Sequence, residues 1–161
     1  MSNVLFARVA RLVAVVTVCL VAAACSQTRP ELGANGSVVP GSGQDFVVNV
    51  GDRVFFNNNQ SSLSPAARAT LDKQAQWLNA YSNYTITIEG HADERGTRQY
   101  NIALGARRAQ AVYDYLSAKG VSQSRIKTIS YGKERPVAVC DADSCWSQNR
   151  RAVTVVNNAG S

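Results

Sequence analysis

The chain has 161 residues, 45% of them apolar and 17% charged, with a formal net charge of +6. This length suits one domain, and the apolar fraction is that of a globular fold rather than a disordered chain. The positive charge gathers into no basic stripe with interleaved aromatics, which argues against a nucleic-acid partner.

Residues 1–24 read as an export signal. Arg8 and Arg11 form a basic start, and the apolar run from Leu12 to Ala24 is too short for a membrane span, which needs about 20 residues. Small residues Ala22-Ala23-Ala24 lead directly into Cys25. This pattern resembles the lipobox of bacterial lipoproteins, with Ala22 where leucine is more usual. It implies that Cys25 becomes the acylated N-terminus, held stably if several acyl chains are attached. Ser26, rather than Asp, favours sorting to the outer membrane. Once Arg8 and Arg11 are removed, the remaining positive charge is mild; it suits an anionic wall polymer or membrane surface without requiring either.

Ser26 to Gln44 contains Gly33, Gly36, Gly41, Gly43, Pro30 and Pro40 and reads as a flexible tether spanning roughly 25 Å. The folded domain is placed at residues 45–157, with a short tail over 158–161. Phe46–Val50 and Arg53–Phe56 read as short strands around a Gly51-Asp52 turn. Ser64 offers a helix cap with Pro65 in the first turn, and Ala67, Leu71, Ala75 and Leu78 recur at helical spacing to about Ala80. Tyr84–Glu89 alternates as a strand. Thr97 caps a second helix ending near Gly120, with Ile102, Ala106, Ala109, Val112 and Leu116 as its apolar face. Trp77, Tyr113 and Tyr115 are read as core. Ile126–Tyr131 and Ala152–Val156 supply the last strands. The order β-β-α-β-α-β-β places helices on one face of a mixed sheet. Cys140 and Cys145 remain for an oxidising compartment and are read as a local disulfide in preference to free thiols.

The stretch from Gly90 to Ala109 carries the chemistry. Asp93 follows a strand and Arg108 lies on the next helix. A carboxylate can take an ammonium while a guanidinium forks onto a carboxylate, so the pair could hold a zwitterion. Arg108 sits ~15 Å along the helix from Arg98 and recovers ~6 Å of this by leaning toward the N-terminus. Spacing therefore allows the two to meet without fixing it, and a plain Asp–Arg salt bridge is the competing reading. Arg107 lies ~100° round the helix, so only one of the two arginines faces the site. His91 is the sole histidine, and no serine sits in a nucleophile elbow, so neither a catalytic triad nor a zinc site is expected. His91 is read as a structural group at the strand end.

Residues 90–109, with Val54–Leu63, Ser130–Pro136 and Ser147–Val153, resemble the OmpA-like domain family and, within it, the peptidoglycan-associated lipoproteins. The resemblance implies an α+β OmpA-like fold, β-α-β-α-β-β, with two main helices on one face of a mixed sheet. It implies a non-enzymatic protein without cofactor that binds the diaminopimelate of the peptidoglycan stem. Asp93 and Arg108 would hold the zwitterion and Asn59 would contribute through its backbone. Phe56 would form the floor, Asn101 and Leu104 would flank the pocket, and Arg150 would support it. The chain departs from the family at Asn58 and Asn59, where an apolar residue and an acid are common, and at Arg98, where proline is. The implied setting is the outer membrane, facing the periplasm, within the Tol–Pal system. TolB is the implied partner, and the implied role is in envelope integrity and cell division.

Overall fold

A computed structural model describes residues 38–157. The expected signal, Cys25, the first part of the tether and the tail over 158–161 lie outside the described residues. The main elements are β1 (Arg53–Phe55), α1 (Pro65–Ala80), β2 (Thr85–His91), α2 (Arg98–Ala118), β3 (Ile126–Gly132), α3 (Asp143–Asn149) and β4 (Arg151–Asn157). The four strands form one mixed sheet in the order β1-β4-β2-β3. β4 runs antiparallel to both β1 and β2, whereas β2 and β3 are parallel. A parallel pair needs a long crossover, and α2 supplies it.

Both long helices start as their sequences indicate. Ser64 Oγ accepts from the Ala67 N–H, with Pro65 in the first turn; Thr97 Oγ1 accepts from the Tyr100 N–H. α1 buries Ala67, Leu71, Ala75, Trp77 and Leu78 against the sheet and α2. Gln74 joins them because its amide is satisfied: it donates to the Gly51 carbonyl at 2.6 Å and accepts from Thr154 Oγ1 at 2.9 Å. Ile86 and Ile88 from β2 meet Val112 and Leu116 from α2 in the same core. Each such fully buried side chain contributes roughly 1.5–3 kcal/mol.

The structure corrects four expectations. Phe46–Val50 is no strand: Gly43–Asp45 is α-helical and Phe46–Gly51 continues as a π-helix. Ser42 caps this segment, and the Asp45 carboxylate ties it down by accepting from Gly41 N, Asn49 Nδ2 and Trp77 Nε1. Phe46 is buried edge-on against Trp77, and Val47 and Val48 face solvent. Gly41–Gln44, expected in the tether, are therefore packed against the domain, and Tyr84 Oη donates to the Gly41 carbonyl. α3 was not expected and lies between the last two strands. The buried face of α2 is turned relative to the predicted stripe: Ala106 is exposed, whereas Asn101, Leu104 and Arg108 are buried.

Candidate functional site

A cleft of about 340 Å³ opens where β2 ends and α2 begins, lined by Asn58, Asn59, Asp93, Arg95, Gly96, Tyr100, Asn101 and Leu104. Hydrogen bonds fix its floor. The Ala92 N–H donates to the Gly132 carbonyl at 2.8 Å, so the chain leaves β2 still attached to β3. Asp93 follows, and its Oδ1 accepts from the Arg95 N–H, folding the loop into an Asx-type turn. Asn101 Nδ2 donates to the Arg95 carbonyl at 2.8 Å, and Lys133 Nζ donates to the carbonyls of Glu94 and Gly96. The loop is thus held by α2 on one side and by the chain after β3 on the other.

Arg95 is the cation of this cleft. Its Nε donates to Asp93 Oδ1 at 3.2 Å and its terminal nitrogen to Asp93 Oδ2 at 2.7 Å and Asn58 Oδ1 at 2.9 Å. The guanidinium lies 4.1 Å from the centre of the Trp146 ring, whose Nε1 donates to Glu94 Oε1. Burial pushes the Asp93 carboxyl up, but the hydrogen bonds and charge of Arg95, with Arg150, outweigh it. The group is held below the ordinary carboxylate range and is ionised at neutral pH.

Asp93, Asn59, Asn101 and Leu104, all expected at the site, line the cleft. Asn59 adopts a left-handed backbone, φ 56°, and its side-chain oxygen accepts from Tyr100 Oη. The other three expected residues lie behind the wall. Arg108 is 0% exposed and spends its guanidinium on backbone carbonyls: Nε on Gln60, one terminal nitrogen on His91 at 2.7 Å, the other on Asn57. Its guanidinium lies 5.2 Å from the centre of the Phe56 ring. Burial pushes Arg108 down to about 10, which leaves it a cation. Phe56 is buried beside it. Arg150 donates to the Phe56 carbonyl, to Asp143 at 3.0 Å and to Asp93 at 3.5 Å. Asp93 and Arg108 thus come close without forming a direct ion pair, and Arg108 braces the Asn57–Gln60 loop from behind.

Sequence reasoning missed Arg95, Asn58, Gly96 and Tyr100. The Asp-x-Arg spacing was a usable signal for Arg95, because an aspartate commonly bonds the peptide two residues on. Trp146 could not be found without knowing α3. A second cleft, of about 440 Å³, lies beyond Phe56 and Asn57 and is lined also by Phe55, Ser62, Ser64, Ser147 and Gln148. Its lining holds no charged side chain, in contrast to the cleft at Asp93. The structure joins Cys140, just before α3, to Cys145 in its first turn as a disulfide. Among the described residues no group of three His, Cys, Asp or Glu side chains could hold a metal ion.

The OmpA family model matches residues 55–151, which contain the whole cleft. A peptidoglycan-associated lipoprotein of Mesorhizobium japonicum is 59% identical over 156 residues, 93% of each chain. The chain belongs to the peptidoglycan-associated lipoproteins of the OmpA family. A relative of the same name from Rhizobium meliloti is 68% identical over 130 residues, covering 81% of this chain and 73% of the relative. Among solved structures, the peptidoglycan-associated lipoprotein of Burkholderia pseudomallei aligns with a TM-score of 0.68 at 36% identity, covering 72% of this chain and all of that one. The α+β fold with a mixed sheet is that of this OmpA-like lipoprotein. These relatives are named for association with peptidoglycan, not for catalysis.

Proposed function

We propose that this protein grips peptidoglycan non-covalently by taking the diaminopimelate side chain of the peptide stem into the cleft at Asp93. The observation that carries the reading is an ionised carboxylate and a guanidinium in one cleft of about 340 Å³, with the amides of Asn58, Asn59 and Asn101 around them. Such a set matches a group that bears both charges and many hydrogen-bonding atoms. Arg108, Phe56 and Arg150 contribute from behind by fixing the loop that carries Asn58 and Asn59. With Cys25 lipidated in the outer membrane, the same chain would tie that membrane to the wall from the periplasmic side. It would act with TolB and the other Tol proteins in envelope integrity and cell division. The relatives' names, which join lipoprotein to peptidoglycan, support this setting.

Pull-down on purified sacculi tests the assignment. Asp93→Ala removes the ionised acid and is expected to lower binding at least tenfold, the scale of a lost charge-assisted contact of about 1.5–3 kcal/mol. Arg108→Ala is expected to weaken binding by loosening the loop. Binding by both variants at the level of the unaltered protein rejects the cleft as the site.

A further inference from the structure

We propose that the larger cleft, beside Phe55, is a second binding site, which takes an uncharged N-acetylated sugar of the peptidoglycan glycan strand. It rests on the reading of the cleft at Asp93 as the seat of the peptide stem.

The cleft of about 440 Å³ combines aromatic surface with neutral hydrogen-bonding groups. Phe55 lies on β1, at an edge of the sheet, and is 50% exposed. A single exposed phenylalanine needs no explanation. This one lines a concave site together with Asn57, Ser62, Ser147 and Gln148. On α3, Ser147 Oγ and Gln148 Nε2 both donate to the Ser144 carbonyl, at 3.4 Å and 2.8 Å. These bonds orient the two side chains and leave the serine lone pairs and the glutamine amide oxygen to accept from a ligand.

A ligand suited to such a lining carries no charge, offers donors and acceptors together, and has an apolar face for a ring. The carboxylates of the peptide stem do not fit, because they would find no cation there. The sugars of the wall do. N-acetylglucosamine is uncharged, and N-acetylmuramic acid loses its carboxylate in the amide bond to the stem. Each sets hydroxyls and an acetamido group around a ring whose C–H face can pack on an aromatic side chain.

The placement of the two clefts fits the polymer. Asn57 lines the larger cleft and Asn58 the one at Asp93, and consecutive Cα atoms stand about 3.8 Å apart. The loop after β1 is therefore a wall common to both. α3 borders both as well: Trp146 stacks on the Arg95 guanidinium, and the next two residues line the larger cleft. Two stem residues separate diaminopimelate from the sugar, an extended reach of about 7 Å or more. One muropeptide can thus cross the loop and fill both clefts.

The test is a titration of the full-length protein in detergent with two ligands: a diaminopimelate-containing stem tetrapeptide, and the same tetrapeptide attached to its disaccharide. The unaltered protein is expected to bind the second roughly five- to tenfold more tightly. Phe55→Ala and Gln148→Ala are expected to cut this advantage below about twofold while binding the bare tetrapeptide as before. Gln148 is exposed on α3, so its replacement decides the matter if Phe55→Ala perturbs β1. Equal affinity of the unaltered protein for both ligands overturns the inference, and so does an advantage that survives in Gln148→Ala. Asp93→Asn separates this from failure of the underlying reading. Full binding of the tetrapeptide by that variant rejects the cleft at Asp93 as the seat of the stem, whereas a sugar advantage that still depends on Phe55 and Gln148 upholds the second site.

Discussion

Burying a guanidinium costs several kcal/mol unless its N–H groups find partners, and Arg108 finds them in the carbonyls of Asn57, Gln60 and His91. One side chain thereby joins the end of β2 to the loop that walls the cleft. His91, whose carbonyl it takes, sits in the opposite condition. Its imidazole is buried, both ring nitrogens lack a hydrogen-bond partner, Glu89 lies 3.5 Å away and the Tyr131 ring stacks at 5.6 Å. Burial, then the charges of Arg151, Arg135 and Arg53, push its pKa down to about 4. The unfolded chain takes up this proton near pH 6.5, the folded one only near pH 4. Stability contributed by neutral His91 is therefore complete above pH 6.5 and is lost progressively as pH falls to about 4, by an amount on the order of 3 kcal/mol. Urea unfolding at pH 7 and pH 4 for the unaltered protein and for His91→Phe isolates this from the carboxylates, which both share. The variant is expected to lose markedly less stability on acidification; an equal loss in both would show that His91 is not the group.

At the scale of elements, the site depends on how closely α2 approaches β2. Gly90 and Gly105 make that approach: a Cβ at Gly90 would stand 1.8 Å from the Gly105 carbonyl oxygen, a backbone atom that cannot swing aside. Gly90→Ala must push the helix off the strand. It is expected to destabilise by about 1–3 kcal/mol or more, read as a fall in Tm, and to reduce sacculus binding because Asp93 directly follows β2 and Asn101 sits on α2, the two elements being separated. A variant with unchanged Tm would mean that the two backbones are not held together. Such long-range contacts mark the limit of what the sequence shows. α1, β2, α2 and β3 were legible as elements because their caps, periodicity and stop signals are local, although the buried face of α2 is turned relative to its predicted stripe. Phe46–Val50 was not: three valines and a phenylalanine suggest a strand, but Ser42, Asp45 and Trp77 fix a helical turn through contacts spread over 32 positions in sequence. α3 was hidden because it is short and polar and Ala142 gives it no side-chain cap. The site was half legible for the same reason. Asp93, Asn101 and Leu104 lie in one motif and Asn59 in a second stretch of the same resemblance, and all four line the cleft. The part of Arg108 depends on carbonyls 17 to 51 residues away.

The whole molecule is proposed to work as a link, and a link has two ends that should fail independently. Among the described residues no helix is long and apolar enough to cross a membrane; the proposed membrane attachment is through Cys25. The packed domain begins at Gly41, earlier than the sequence suggested, because Asp45 and Tyr84 hold that residue. The chain between Cys25 and Gly41 reaches about 50 Å when fully extended, and this is the distance over which a domain bound to the wall could remain attached to a lipid anchor. Removing the anchor and removing the grip then have opposite signatures. Cys25→Ser is expected to move the protein from the membrane to the soluble fraction of the envelope while leaving its affinity for purified sacculi unchanged, since no residue of the cleft is altered. Asp93→Ala is expected to leave it in the membrane fraction and to remove it from the sacculus pellet. Retention of Cys25→Ser in the membrane would overturn the lipid anchor. Loss of sacculus binding by that variant would mean that the membrane, rather than the cleft, brings the protein to the wall.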